Sequence, residues 1–178
     1  MDVGTGDGRS VLEQARRDAR ALVIGIDANV ASMVDASRRA AAKAARGGRP
    51  NALFVVAAAE TLPTELSGIA SAVTVNFPWG SLLRGVLAQN LPILAGLGRL
   101  LGPNGRLEAM VSAVAHDGLT LPDESDLLAG YRAAGLDLSE YWQATGEEIA
   151  DRRTSWARRL GVGHDRPVWC IVAVGATA

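Results

Sequence analysis

Met1-Asp2-Val3-Gly4-Thr5-Gly6-Asp7-Gly8-Arg9 opens the chain with three alternate glycines and two carboxylates. A glycine turn between a strand and a helix lets a ligand approach the backbone, and dinucleotide enzymes use such a turn to hold a pyrophosphate at a helix N-terminus. Asp2 and Asp7 would repel that anion. They suit instead a ligand carrying a sulfonium and an ammonium group. The next landmark, Ala21-Leu22-Val23-Ile24-Gly25-Ile26-Asp27, reads as a buried strand ending in an acid placed to bind ribose hydroxyls. Together the two segments point to S-adenosylmethionine. The plainer alternative is a tight turn, with Asp27 capping the following helix.

Working outward, short apolar runs alternate with longer helical patterns, which is the order of a doubly wound α/β sheet with helices on both faces. Helices are expected at 10–20, at 30–46 ahead of Gly47-Gly48-Arg49-Pro50, and at 81–101 ahead of Gly102-Pro103-Asn104-Gly105. Further helices are expected at 126–134 and 147–160. Strands are expected at 53–58, 72–77, 107–114, 136–143 and 168–174. All 178 residues are read as a single domain, since 48% hydrophobic content supports one core and the length leaves little room for two.

Net charge of −1 and a pI near 6.1 announce no nucleic-acid partner in bulk, so any such contact must come from a local patch. One such patch runs through Arg38, Arg39, Lys43, Arg46 and Arg49 without an acidic residue. Arg39, Lys43 and Arg46 recur at helical spacing and would share a face. The competing reading is that they complement a helix dipole. The single Cys170 excludes an internal disulfide, and His116 and His164 are too few for a usual zinc site. No apolar run has the length of a membrane span and no leader is apparent, so a cytoplasmic protein is expected.

Ligands of such sheets lie at the carboxyl ends of the strands. There stand Ala57-Ala58-Ala59-Glu60, small enough for an adenine ring to lie against the backbone, and Asn76-Phe77-Pro78-Trp79-Gly80, an aromatic held by a proline. Trp79 is the candidate platform for a flat base, or else a rim tryptophan of the core.

With Ala57-Ala58-Ala59-Glu60-Thr61-Leu62-Pro63, Phe77-Pro78-Trp79-Gly80-Ser81-Leu82-Leu83 and Ser155-Trp156-Ala157-Arg158-Arg159-Leu160 added to the opening motif, the chain resembles the aminoglycoside-resistance 16S rRNA (adenine-1408-N1)-methyltransferases of the kanamycin and apramycin resistance type. The resemblance runs from the first residue to the last. It implies a class I, Rossmann-like methyltransferase fold and a cofactor site of Asp2, Gly4, Gly6, Asp27, Ala58, Ala59 and Glu60. It further implies that Trp79 and Trp156 sandwich a flipped adenine with Ser81 and Thr154 nearby, and that Arg166 anchors the displaced rRNA backbone. Arg159 joins Arg38, Arg39, Lys43 and Arg46 as a candidate RNA contact. Arg152, Arg153, Arg158 and Arg159 all stand close to Glu147, Glu148 and Asp151, however, and partial pairing would leave an ordinary solvated helix.

The family carries a hairpin and most of a first strand ahead of this motif. The first strand is therefore expected to be truncated to 1–3 at the sheet centre, with a cost in pairing. The expected partner is 16S rRNA in the assembled 30S subunit, met by a monomer. Two other readings stay open on the residues. One is a cofactor-binding protein whose tryptophans only pack. The other is a methyltransferase of an exocyclic amine or a small molecule, suggested by Asn76, whose amide can accept from an amino group.

Overall fold

The computed structural model describes residues 1–112, 121–151 and 167–176. Its centre is a seven-stranded sheet in the order β3-β2-β1-β4-β5-β7-β6. The strands are β1 (Asp2–Val3), β2 (Val23–Asp27), β3 (Ala52–Val56), β4 (Ala70–Asn76), β5 (Leu101–Val111), β6 (Leu136–Gln143) and β7 (Trp169–Gly175). The first five run parallel, and β7 enters antiparallel between β5 and β6.

Helices cover both faces because consecutive strand residues point to opposite sides. Val23 packs with Val11 and Ala15 of α1 (Arg9–Arg17) and Ala40 of α2 (Val30–Ala40). Its neighbours Ile24 and Ile26 turn to the larger core, under α3 (Gly80–Val86), α4 (Leu91–Arg99) and α5 (Glu124–Ala133). A short α6 (Gly146–Asp151) follows β6. Gly25 is needed where the faces are tightest: a Cβ there would stand 2.8 Å from Val11 Cγ2 and 3.0 Å from Thr5 Cγ2.

β1 is two residues long, as expected, and occupies the sheet centre between β2 and β4. Two helix expectations fail for local reasons. The segment 81–101 is two helices, broken where Ala88 takes φ 58° and Asn90 caps the next helix by accepting from Ile93 N, with Pro92 in its first turn. The segment 30–46 is helical only to Ala40, and Ala44–Arg46 forms a separate 3-10 turn after an extended Lys43. Gly102–Gly105, read as the stop after a helix, is instead the irregular start of β5. Of the expected helix at 147–160, the part after Asp151 lies outside the described residues.

Candidate cofactor and base-binding cleft

Three left-handed glycines shape the floor of the site. Gly4, Gly6 and Gly8 take φ of 74°, 59° and 69°, values that cost an L-residue strain and glycine little. The amides of Gly4 and Thr5 both donate to Ile26 O, at 2.8 and 3.1 Å, which pins the loop to the end of β2. Gly6 N donates to Asp27 Oδ2 at 2.8 Å and Asn29 N to Asp27 Oδ1 at 2.8 Å. One amide on each oxygen aligns the carboxylate and leaves lone pairs for a ligand. The capping role belongs to Asn29, whose side chain accepts from Ala31 N.

Asp2 is not among the residues that line the cleft. It is 2% exposed and accepts hydrogen bonds from the hydroxyls of Thr5, Ser10 and Thr74 and from the Asn76 amide. A carboxylate so enclosed can be buried because its lone pairs are occupied and the Met1 ammonium attracts it. It therefore braces the glycine loop from behind. Asp7 is also away from the cleft, paired with Arg9 at 3.3 Å. Asn76 donates through Nδ2 to Asp2 at 3.3 Å and does not line the cleft, while its Oδ1, the acceptor an exocyclic amine would need, is buried with no hydrogen-bond partner among the described residues.

The opposite wall comes from the end of β4. Phe77 has φ 50°, rare for a bulky residue and costing on the order of 1–3 kcal/mol. Its ring is held in a buried cluster with Met110, Ile149, Val168 and Cys170, and its amide donates to Met110 O at 2.7 Å. That anchorage turns the chain outward, so that Trp79 is 75% exposed. The reading of Trp79 as a rim residue of the core therefore fails. Across the cleft mouth the Ser81 hydroxyl donates to Glu60, which holds that carboxyl below its ordinary value of 4.5.

The resulting cleft, about 180 Å³, gathers Gly4, Gly6, Asp27, Ala58, Ala59, Glu60, Trp79 and Ser81, all expected. It adds Val3, Ala28, Ala57, Phe77, Pro78 and Leu82. Leu82, the third residue of α3, was missed because its place beside Gly4, where a Cβ would stand 2.7 Å from Leu82 Cδ2, comes from the pairing of β1 with β4. Trp156, Thr154, Arg159 and Arg166 lie outside the described residues. Asp27 and Glu60 as acceptors, small residues beside them and an exposed indole at the lip suit a cationic adenosine cofactor and a stacked base.

The basic patch is corrected. Because α2 ends at Ala40, Arg39, Lys43 and Arg46 do not share a helix face. Arg38 points to Asp35 at 4.0 Å, both side chains largely exposed, while Lys43 is exposed in the connection between α2 and β3.

A family model described as "NpmA: 16S rRNA (adenine(1408)-N(1))-methyltransferase" matches residues 1–175. A protein of Streptoalloteichus tenebrarius with the same enzyme name is 38% identical, over 93% of this chain and 81% of its own length. One from Escherichia coli, named likewise, is 32% identical, over 93% and 82%. Among solved structures, 16S rRNA methyltransferase KamB superposes with a TM-score of 0.88 at 37% identity, covering 99% of this chain and 86% of that one. A tryptophan-to-alanine mutant of the 16S rRNA (adenine(1408)-N(1))-methyltransferase from Catenulisporales acidiphilia, with cosubstrate SAM, does so with 0.88 at 34% identity, over 99% and 84%.

Proposed function

Since the chain belongs to the family of 16S rRNA (adenine(1408)-N(1))-methyltransferases, we propose that it methylates N1 of adenine 1408 in small-subunit rRNA from S-adenosylmethionine and so confers aminoglycoside resistance. The observation that carries this reading is the pairing of an exposed Trp79 with the Asp27 and glycine-loop cleft.

Bound S-adenosylmethionine supplies an electrophilic methyl carbon, toward which the free N1 lone pair of adenine needs no general base. Positioning is then the main task of the protein. Asp27 holds the ribose hydroxyls, Ala58 and Ala59 give the adenine moiety a flat bed, and Gly4 and Gly6 let the cofactor reach the backbone. Asp2 holds the loop in shape. Glu60, fixed by Ser81, closes the same edge. Flipping the target base costs a few kcal/mol, and stacking on an indole returns about 1–3 kcal/mol per base. Trp79 provides one such surface; the second is assigned to Trp156, and Ser81 and Thr154 are assigned to the same step.

We assign rRNA contact to Arg38, Arg39, Lys43, Arg46, Arg159 and Arg166, and assembled 30S subunits as the substrate of a monomer acting in the cytoplasm. Among the described residues no helix is long and apolar enough to cross a membrane. Primer extension on treated 30S subunits tests the reading, since N1 methylation blocks pairing and stops reverse transcription at adenine 1408. Read-through at that position with cofactor turnover elsewhere would overturn it.

A further inference from the structure

Arg9, Leu12, Glu13 and Arg16 fall at i, i+3, i+4 and i+7 of α1 and form one stripe on its exposed side. The stripe faces Arg39, Arg46 and Arg49, and together they line a cleft of about 380 Å³. Gly48 keeps the far side in place: a Cβ there would stand 1.7 Å from Ala42 O, so the turn that carries Arg46 and Arg49 admits only glycine. Arg49 is half-buried and donates to Gly48 O at 2.9 Å.

Charge in this cleft is lopsided. Arg9 is paired with Asp7, and Arg16 donates twice to Glu13, at 2.9 and 2.8 Å. Arg39, Arg46 and Arg49 have no carboxylate within ion-pair distance among the described residues. Five guanidiniums against one lining acid make a concave, cationic surface that concentrates anions. Glu13 presets the Arg16 fork, whose remaining N–H groups suit phosphate oxygens. Arg9 begins α1 immediately after the glycine loop, and Arg16 lies two turns on, about 10 Å along the axis. The cationic track therefore starts at the end of the sheet that holds the cofactor cleft.

We infer that the RNA-docking surface of this protein extends onto α1, where Arg9 and Arg16 join Arg39, Arg46 and Arg49 in holding successive backbone phosphates of the substrate rRNA. This rests on the proposed activity. A run of phosphates, rather than a single anion, fits a surface that is long, open and fed by three separate segments.

The test is an Arg9→Gln/Arg16→Gln double variant beside Arg20→Gln, a 97% exposed control outside the cleft. Each is assayed for 30S methylation across subunit concentration and salt. The double variant should raise KM for subunits about tenfold, leave kcat and cofactor affinity within twofold, and lower the slope of log affinity against log salt by roughly one to two, as loss of one or two phosphate contacts requires. Arg9→Lys/Arg16→Lys should recover most of the loss, and Arg20→Gln should match the parent. A parental KM and salt slope in the double variant overturns the inference, as would an equal fall in cofactor affinity or melting temperature, which would mark a structural role. Should the parent itself leave adenine 1408 unmodified, the activity reading falls; salt-dependent binding of the same variants to 30S subunits then decides the docking surface separately.

Discussion

The amide of Gly6 donates to Asp27 Oδ2 at 2.8 Å, joining the glycine loop to the end of β2 across 21 residues of sequence. The two acidic and glycine landmarks are thus one object: the loop orients the carboxylate, and the carboxylate holds the loop.

Asp27→Ala should weaken S-adenosylmethionine binding roughly 10- to 100-fold, as expected for a charge-assisted bond of about 1.5–3 kcal/mol. Asp27→Asn, which retains an acceptor, should lose less. Calorimetry on both variants decides the point, and equal affinity to the parent would remove Asp27 from the cofactor site.

Gly4→Ala should cost more than Gly47→Ala. Both glycines have positive φ, 74° and 82°, so each substitution carries a left-handed penalty of about 1–2 kcal/mol. Only at Gly4 would the new Cβ also meet a neighbour, Leu82 Cδ2 at 2.7 Å; at Gly47 nothing lies within 4 Å. Thermal melts should rank the two in that order, with cofactor affinity reduced at Gly4 alone.

Because Trp79 is 75% exposed, Trp79→Ala should leave the melting temperature nearly unchanged and cofactor affinity intact. Methylation of 30S subunits should fall by roughly 5- to 150-fold, the equivalent of about 1–3 kcal/mol of stacking. A parental rate in this variant would show that the indole does not meet the base.

Ser81→Ala should return the Glu60 carboxyl toward its ordinary value of 4.5, since the Ser81 hydroxyl is the largest cause of its depression. A carboxyl depressed on folding contributes stability above that ordinary value and loses the contribution as pH falls below it. The exposed position keeps the effect small. Titration by NMR of the Glu60 side chain in parent and variant measures the shift directly; an unmoved value would deny the hydrogen bond.

Tyr131→Phe should destabilise the fold by about 0.5–1.5 kcal/mol, or roughly 2–5 °C, since the fully buried hydroxyl donates to Val86 O at 2.9 Å and its loss strands that carbonyl. A melting temperature equal to the parent would show that the carbonyl finds another donor.

The layered α/β order, the glycine loop, Asp27 and the Ala58–Glu60 and Trp79 positions were all legible in the residues alone. These are legible because glycine spacing, strand-length apolar runs and proline-aromatic turns act through local backbone geometry, which neighbours in sequence control. Tertiary structure decided what depends on partners distant in the chain. Asp2 reads as a ligand contact until Thr74 and Asn76, brought beside it by strand pairing, close over its carboxylate with Thr5 and Ser10. Arg39 and Arg46 read as one helix face until the chain leaves the helix at Ala40, and the face they do form is completed by Arg9 and Arg16 from α1. In both cases the spacing of charges was visible, whereas their environment came from segments that only the packing of the sheet brings together.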